Sequence, residues 1–271
     1  MNDFNTKLRH WSYQRQCLDK QGVNLTQVLK DIIGVYSSHP TAPLALYARV
    51  RSFTEPAFYK LDENALALRV PAMRLSVYML PKETARMVMN AVVPSASDPI
   101  WEKRYSQKGR AIPKEHYSNW KKKILQLANK PLTASEIKEA AGIPDETIKP
   151  ALNRMAYEGD LLRVGVKNLR SNIISYVSAR SWAGKSAGGG FTEVDSEKAL
   201  AWLAGEYLRA FGPARLKDFQ WWAGVTAGRA KSAIAAHETV PIENDYLLHK
   251  SDLKEFEKFK IPQKDTLDLL P

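Results

Sequence analysis

The stretch from Ser118 to Ala179 constrains the fold more than any other part of the chain, because it writes three helices in succession and then a hairpin. Trp120, Ile124, Leu127 and Ala128 recur at helical spacing and mark one apolar face. Pro131 and Leu132 end that pattern. Thr133 followed by Glu136 is a capping-box signature for a second helix, which Gly142 closes. Asp145 or Thr147 can cap a third helix, striped by Ile148, Leu152 and Met155 and stopped at Gly159. Pro150 must then sit near its first turn, where a missing N–H costs least. Two short β-rich runs follow, residues 161–166 and 173–177, joined by the basic loop Lys167-Asn168-Leu169-Arg170. Helix, helix, helix and hairpin is the order of a winged helix, with the third helix as the reader and the hairpin loop as the wing.

The last third repeats the scheme. Residues 196–210 read as a helix, Gly212-Pro213 as a break, RLKDFQWWAG and TAGRAKSAIAAH as two more helices, and the segments near Val240–Ile242 and Tyr246–Leu248 as a small hairpin. Trp221-Trp222 reads as one core residue beside a partly exposed neighbour, with base stacking as the alternative. AGKSAGGGFT, before this third, reads as a linker; its Lys-Ser pair lacks phosphate-loop spacing. The first hundred residues are less regular. LTQVLKDIIG closes at Gly34, LALYARVRSF and EPAFYKLDENALA read as helices, ALRVPAMRLSVYMLP as extended with Pro71 interrupting it, and KETARMVMNAV as a helix. Residues 94–118 read as a polar, basic connector. The expected architecture is a mainly helical α+β protein of tandem winged-helix modules, divided at 1–100, 101–185 and 186–271.

Charge narrows the function. The net charge is +11, and residues 101–185 carry 17 basic groups against 8 acidic ones. A localised basic zone is the footprint of a phosphate-backbone binder. No apolar run approaches the ~18 residues of a membrane span, and the N-terminus has no apolar signal region, which points to a soluble cytoplasmic protein. One cysteine, Cys17, excludes an internal disulfide and a cysteine-based zinc site, and the five histidines lack metal-ligand spacing. No metal or organic cofactor is expected.

With these elements in place, an ordered set of phrases stands out: GVYSSHP, ALYARVRSF, AMRLSVYMLP, the middle winged helix, and FGPARLKDFQWWAG. Together they resemble the AlkZ-type winged-helix DNA glycosylases of bacteria, which excise alkylated bases and unhook interstrand crosslinks. The resemblance covers essentially the whole chain at low identity. It implies tandem winged helices, a double-stranded and alkylated DNA substrate, location on the nucleoid when bound, and a C-terminal barrel-like domain that would continue past Leu269-Leu270-Pro271. Oligomeric partners are not implied.

Two motifs depart from the family. After Gly34-Val35 the family continues Gln-x-Gln or Gln-x-Asp; here Tyr36 and Ser38 stand at those positions, beside His39. The family's Met-Arg-Gly-Thr-x-His is here Met73-Arg74-Leu75-Ser76-Val77-Tyr78, so only Arg74 carries over directly. Cleaving an N-glycosidic bond requires an oxocarbenium-like sugar to be stabilised and a water to be positioned or deprotonated. Tyr36 and Ser38 can hydrogen-bond but cannot act as bases near neutral pH; His39 can. The catalytic candidates are therefore Tyr36, Ser38 and His39. The DNA-binding candidates are Arg74 and Tyr78 of that phrase, Thr147, Lys149, Asn153 and Arg154 on the exposed side of the third helix, and Lys167 and Arg170 on the wing. Against excision stands a second reading, in which the same scaffold is a non-enzymatic damage recogniser, a transcriptional regulator or a protein-interaction module.

Overall fold

The computed structural model describes residues 3–19, 22–37, 41–165, 169, 173–184 and 194–262. After helix α1 (Asp3–Arg15), the first third runs through α2 (Leu25–Asp31), β1 (Val35–Tyr36), α3 (Ala42–Tyr47), α4 (Glu55–Glu63) and a hairpin of β2 (Ala67–Pro71) and β3 (Val77–Pro81). Local chemistry sets the ends. The side chains of Asn24 and Thr54 accept from the backbone N–H groups of Gln27 and Ala57, satisfying donors that the first helical turn leaves open. Gly34 takes φ +77, and a Cβ there would lie 2.5 Å from the Met79 carbonyl oxygen, so a glycine is what lets β1 start against β3. Pro71 does not interrupt the extended phrase. It is the last residue of β2, and the chain reverses over residues 72–76 so that Pro71 lies opposite Val77.

The middle of the chain begins with α5 (Lys82–Val92), which packs against the hairpin, and α6 (Ile100–Arg104). Residues 94–118 are thus more than a polar connector. They carry Trp101, fully buried, with its ring stacked on Tyr157 at 5.0 Å and its N–H donating to the Ser95 carbonyl at 2.8 Å. Next come α7 (Lys114–Leu127), β4 (Leu132–Thr133), α8 (Ala134–Ala141), α9 (Asp145–Tyr157), β5 (Leu161–Val164), β6 (Ser175–Ser178) and α10 (Ala179–Ala183). Thr133 and Glu136 form the expected capping box, and Gly142 ends α8 in the left-handed region at φ +66. Pro144, rather than Asp145 or Thr147, stands at the cap of α9, and Pro150 lies in its second turn. The last third contains α11 (Ser196–Phe211), α12 (Leu216–Ala223), α13 (Ala227–Ala235), the hairpin β7 (Thr239–Ile242) and β8 (Tyr246–His249), and α14 (Leu253–Lys258). The hairpin β2–β3 follows α2, α3 and α4, β5–β6 follows α7, α8 and α9, and β7–β8 follows α11, α12 and α13, with the short strands β1 and β4 lying between helices.

The result is a mostly helical α+β fold with a small antiparallel sheet. Six strands are ordered β1-β3-β2-β5-β6-β4, so the first hairpin and the middle hairpin form one sheet, joined where Arg69 lies opposite Arg163. Directly opposite side chains share a face. Arg69 reaches Asp62 of α4 at 2.9 Å, and Arg163 donates to Asn153 of α9 at 2.6 Å. The largest apolar core runs through all three thirds, with Leu80 and Val88, Trp101 and Leu152, and Leu203 and Phe219 fully buried in it. A second core lies under α2 and α4 around Leu29, Leu46, Phe58 and Met79. A third ties α1 to the last third: Trp11 packs with Leu248 and Phe256 and donates to the Gly212 carbonyl at 2.8 Å. Among the described residues, no helix is long and apolar enough to cross a membrane.

Candidate nucleic-acid interface

Two motifs far apart in sequence meet at the turn of the first hairpin. β1 pairs with β3 so that Tyr36 lies opposite Tyr78, and the Ser37 N–H continues the ladder by donating to the Val77 carbonyl at 2.8 Å. Opposite positions on an antiparallel pair project to one face. The two rings accordingly meet edge to face, with centroids 5.9 Å apart and planes at 83°. Tyr36 remains 41 % exposed. Burial pushes the Tyr78 phenol above its ordinary range, Tyr36 adds to the shift, and the nearby Arg74 guanidinium opposes it. The Tyr78 hydroxyl is therefore a neutral donor at physiological pH. Ser38 and His39 lie outside the described residues.

The turn itself is built from unfavourable backbone. Arg74 and Leu75 both take positive φ, +55 and +57, a region that costs non-glycine residues about 1 kcal/mol or more each. Three contacts hold it. Met73 is buried in the main core. The Tyr157 hydroxyl donates to the Leu75 carbonyl at 3.0 Å. Gly224, at φ +75 after α12, comes so close that a Cβ there would sit 3.1 Å from the Arg74 Cα. Arg74 is exposed, and its guanidinium lies 4.3 Å over the ring of Trp221. Trp221 is 66 % exposed, while Trp222 turns inward onto Tyr207 and Phe211. Tyr157 is not among the residues that the sequence marks as functional. Its position at the end of a helical stripe carries no signal that its hydroxyl would anchor another segment's turn.

Helix α9 differs from the expectation. Thr147 and Arg154 are buried rather than on an exposed face: α9 packs against α7, α8, β2 and β5, and Glu102 of α6 engages Arg154. Arg154 donates to Glu102 of α6 at 2.9 Å and to Glu158 at 2.8 Å, and lies 4.2 Å over the Tyr117 ring. Burial raises the Glu158 carboxyl, but hydrogen bonds from Lys121, Tyr117 and Arg154 outweigh it and hold the group below the usual carboxylate range. Asn153 is half-buried and engaged by Arg163. Lys149 is exposed. Of the three adjacent lysines on α7, Lys121 pairs with Glu158 and Asp160, whereas Lys122 and Lys123 face solvent. Lys167 and Arg170 lie outside the described residues, as does the glycine-rich stretch 185–193.

A cleft of about 690 Å³ opens behind the turn, between α5, α9 and the α12–α13 connection. Its charged lining is already engaged: Arg229 pairs with Glu197 at 2.7 Å, Glu158 with Lys121 and Arg154, and Asp195 caps α11. No group of three metal-ligating side chains occurs among the described residues. The arrangement at the turn can therefore stack on rings, donate hydrogen bonds and bring the exposed Arg74 guanidinium, which has no ion pair among the described residues, to an anion.

Comparison with known proteins follows the same line. A family model described as DNA glycosylase AlkZ-like matches residues 31–271. Among solved structures, Streptomyces sahachiroi DNA glycosylase AlkZ is similar, with a TM-score of 0.73 at 16 % identity, covering 94 % of this chain and 72 % of that one. No curated protein matches the sequence.

Proposed function

The chain belongs to the AlkZ-like DNA glycosylase family, and from that premise we propose that it binds double-stranded DNA and recognises an alkylated base at the turn of its first hairpin. The observation that carries this reading is the Tyr36–Tyr78 pair, held in register beside exposed Arg74. An N7-alkylated purine bears a positive charge, and the electron-rich face of a tyrosine attracts a cation. The two hydroxyls can hydrogen-bond base edges, and Arg74 can hold a phosphate. Three winged-helix modules, at 1–100, 101–185 and 186–271, would present this corner to the duplex, and the exposed Lys122 and Lys123 would add backbone attraction. The protein then works in the cytoplasm, on the nucleoid.

Excision is the second reading, favoured by the family itself. Neither hydroxyl can deprotonate water near neutral pH, so hydrolysis would fall to His39, with Tyr36 and Ser38 orienting the water. One experiment separates the two. The protein is mixed with a 25-base-pair duplex, with and without a single N7-methylguanine, run on a native gel, and the same samples are treated with heat and alkali. Tighter binding to the lesion without strand cleavage is the expected result. Cleavage at the lesion that His39→Ala abolishes would move the chain to the excision reading. Failure to bind either duplex at low salt would contradict DNA recognition.

A further inference from the structure

Trp221 has no part in the machinery described so far, and packing does not explain it. An exposed position on a helix ordinarily carries a charged or small residue, because water-exposed indole forfeits the burial that makes tryptophan favourable elsewhere. Its neighbour Trp222 takes the core position of the pair, against Tyr207, Phe211 and Phe219. Trp221 instead stands 66 % exposed at the corner where the hairpin of the first third meets α12 of the last. It is also held in place. Arg74 lies 4.3 Å over one face of the ring, on a turn whose positive-φ backbone is braced by Gly224 and by the Tyr157 hydroxyl. A stacked guanidinium fixes a side chain in one rotamer while leaving the opposite ring face open.

Tyr36 and Tyr78 meet ring to ring, and Arg74, on the turn that leads into the strand of Tyr78, lies over Trp221, so two aromatic groups flank one exposed cation at this corner. Aromatic side chains interleaved with a cation make a platform for unpaired bases: the rings stack on bases and the cation takes the adjoining phosphate. We propose that Trp221 is a base-stacking residue, whose open indole face receives a base displaced from the duplex while Arg74, on the opposite face, contacts the backbone next to it. The proposal rests on the reading that this corner binds DNA, and assigns it a second aromatic wall contributed by the last third of the chain.

The test compares wild type, Trp221→Ala and Trp221→Phe on two 25-base-pair duplexes, one fully paired and one carrying a single unpaired adenine. Thermal melts first verify that the variants fold, which the exposure of the side chain favours. Wild type should bind the bulged duplex more tightly than the paired one. Trp221→Ala should lose roughly tenfold or more on the bulged duplex and less than threefold on the paired one, with Trp221→Phe between them. If Trp221→Ala matches wild type on the bulged duplex, or loses equally on both, the stacking role is overturned while DNA recognition stands. If wild type binds neither duplex at low salt, the reading beneath it fails and the proposal falls with it.

Discussion

Arg154 and Arg74 have the same local geometry and opposite uses. Each guanidinium lies just over 4 Å from the centre of an aromatic ring, Tyr117 in one case and Trp221 in the other. Arg154 is buried and shares two carboxylates, Glu102 and Glu158; Arg74 is exposed, and among the described residues it has no ion pair. Arg154 stands in the most basic third of the sequence, where charge alone directs attention. Several of those cations turn out to hold the architecture together. The hairpin turn has a single arginine, yet that arginine and its rings remain available to a ligand. A basic segment marks a binding surface only through the cations that its own carboxylates leave free.

The contrast makes quantitative predictions. Breaking a buried charge cluster by removing one partner leaves the other uncompensated. Arg154→Met should lower the unfolding free energy by about 3 kcal/mol in urea titrations, while the folded protein binds duplex DNA within about twofold of wild type. A smaller effect belongs to the other interior pair, at the seam of the two hairpins. Burial pushes the Asp62 carboxyl up to about 6, although Arg69 and the Gly165 N–H oppose it. A carboxyl whose folded value exceeds its unfolded value, near 4, contributes stability that is fully present below pH 4 and is lost as pH rises through 6. The advantage of wild type over Asp62→Asn should therefore shrink by about 2 kcal/mol between pH 4 and pH 7, with urea midpoints at each pH as the measurement. Gly224→Ala reverses the pattern. Its positive φ and the approach of the Arg74 backbone should cost about 1 kcal/mol of stability. The change should displace the turn enough to weaken duplex binding severalfold, as read by gel shift.

Much of this fold was legible because its signals are local. Thr133, Glu136 and Gly142 bound α8 through side chains and backbone three to six residues away, and the capping box sits where the pattern puts it. Tyr36 and the 73–78 phrase stood out as separate motifs, and only the register of β1 on β3 brings them together. What the sequence hid was tertiary. α6 is five residues long, too short for a periodicity to emerge, so its buried tryptophan looked like part of a linker. The stripe Ile148, Leu152 and Met155 defines one buried face of α9, and nothing local reveals that Thr147 and Arg154 are buried as well. Trp221 and Trp222 are adjacent and identical, and only the packing of α12 decides which one faces water.

The central claim is that the hairpin turn, and not α9, meets DNA. Hydrogen exchange of backbone amides, followed by mass spectrometry with and without a 25-base-pair duplex carrying N7-methylguanine, tests it most directly. Protection concentrated in residues 35–37, 72–78 and 221–226, with 145–157 unchanged, is the predicted result. Protection of 145–157 with the turn unaffected would contradict the account.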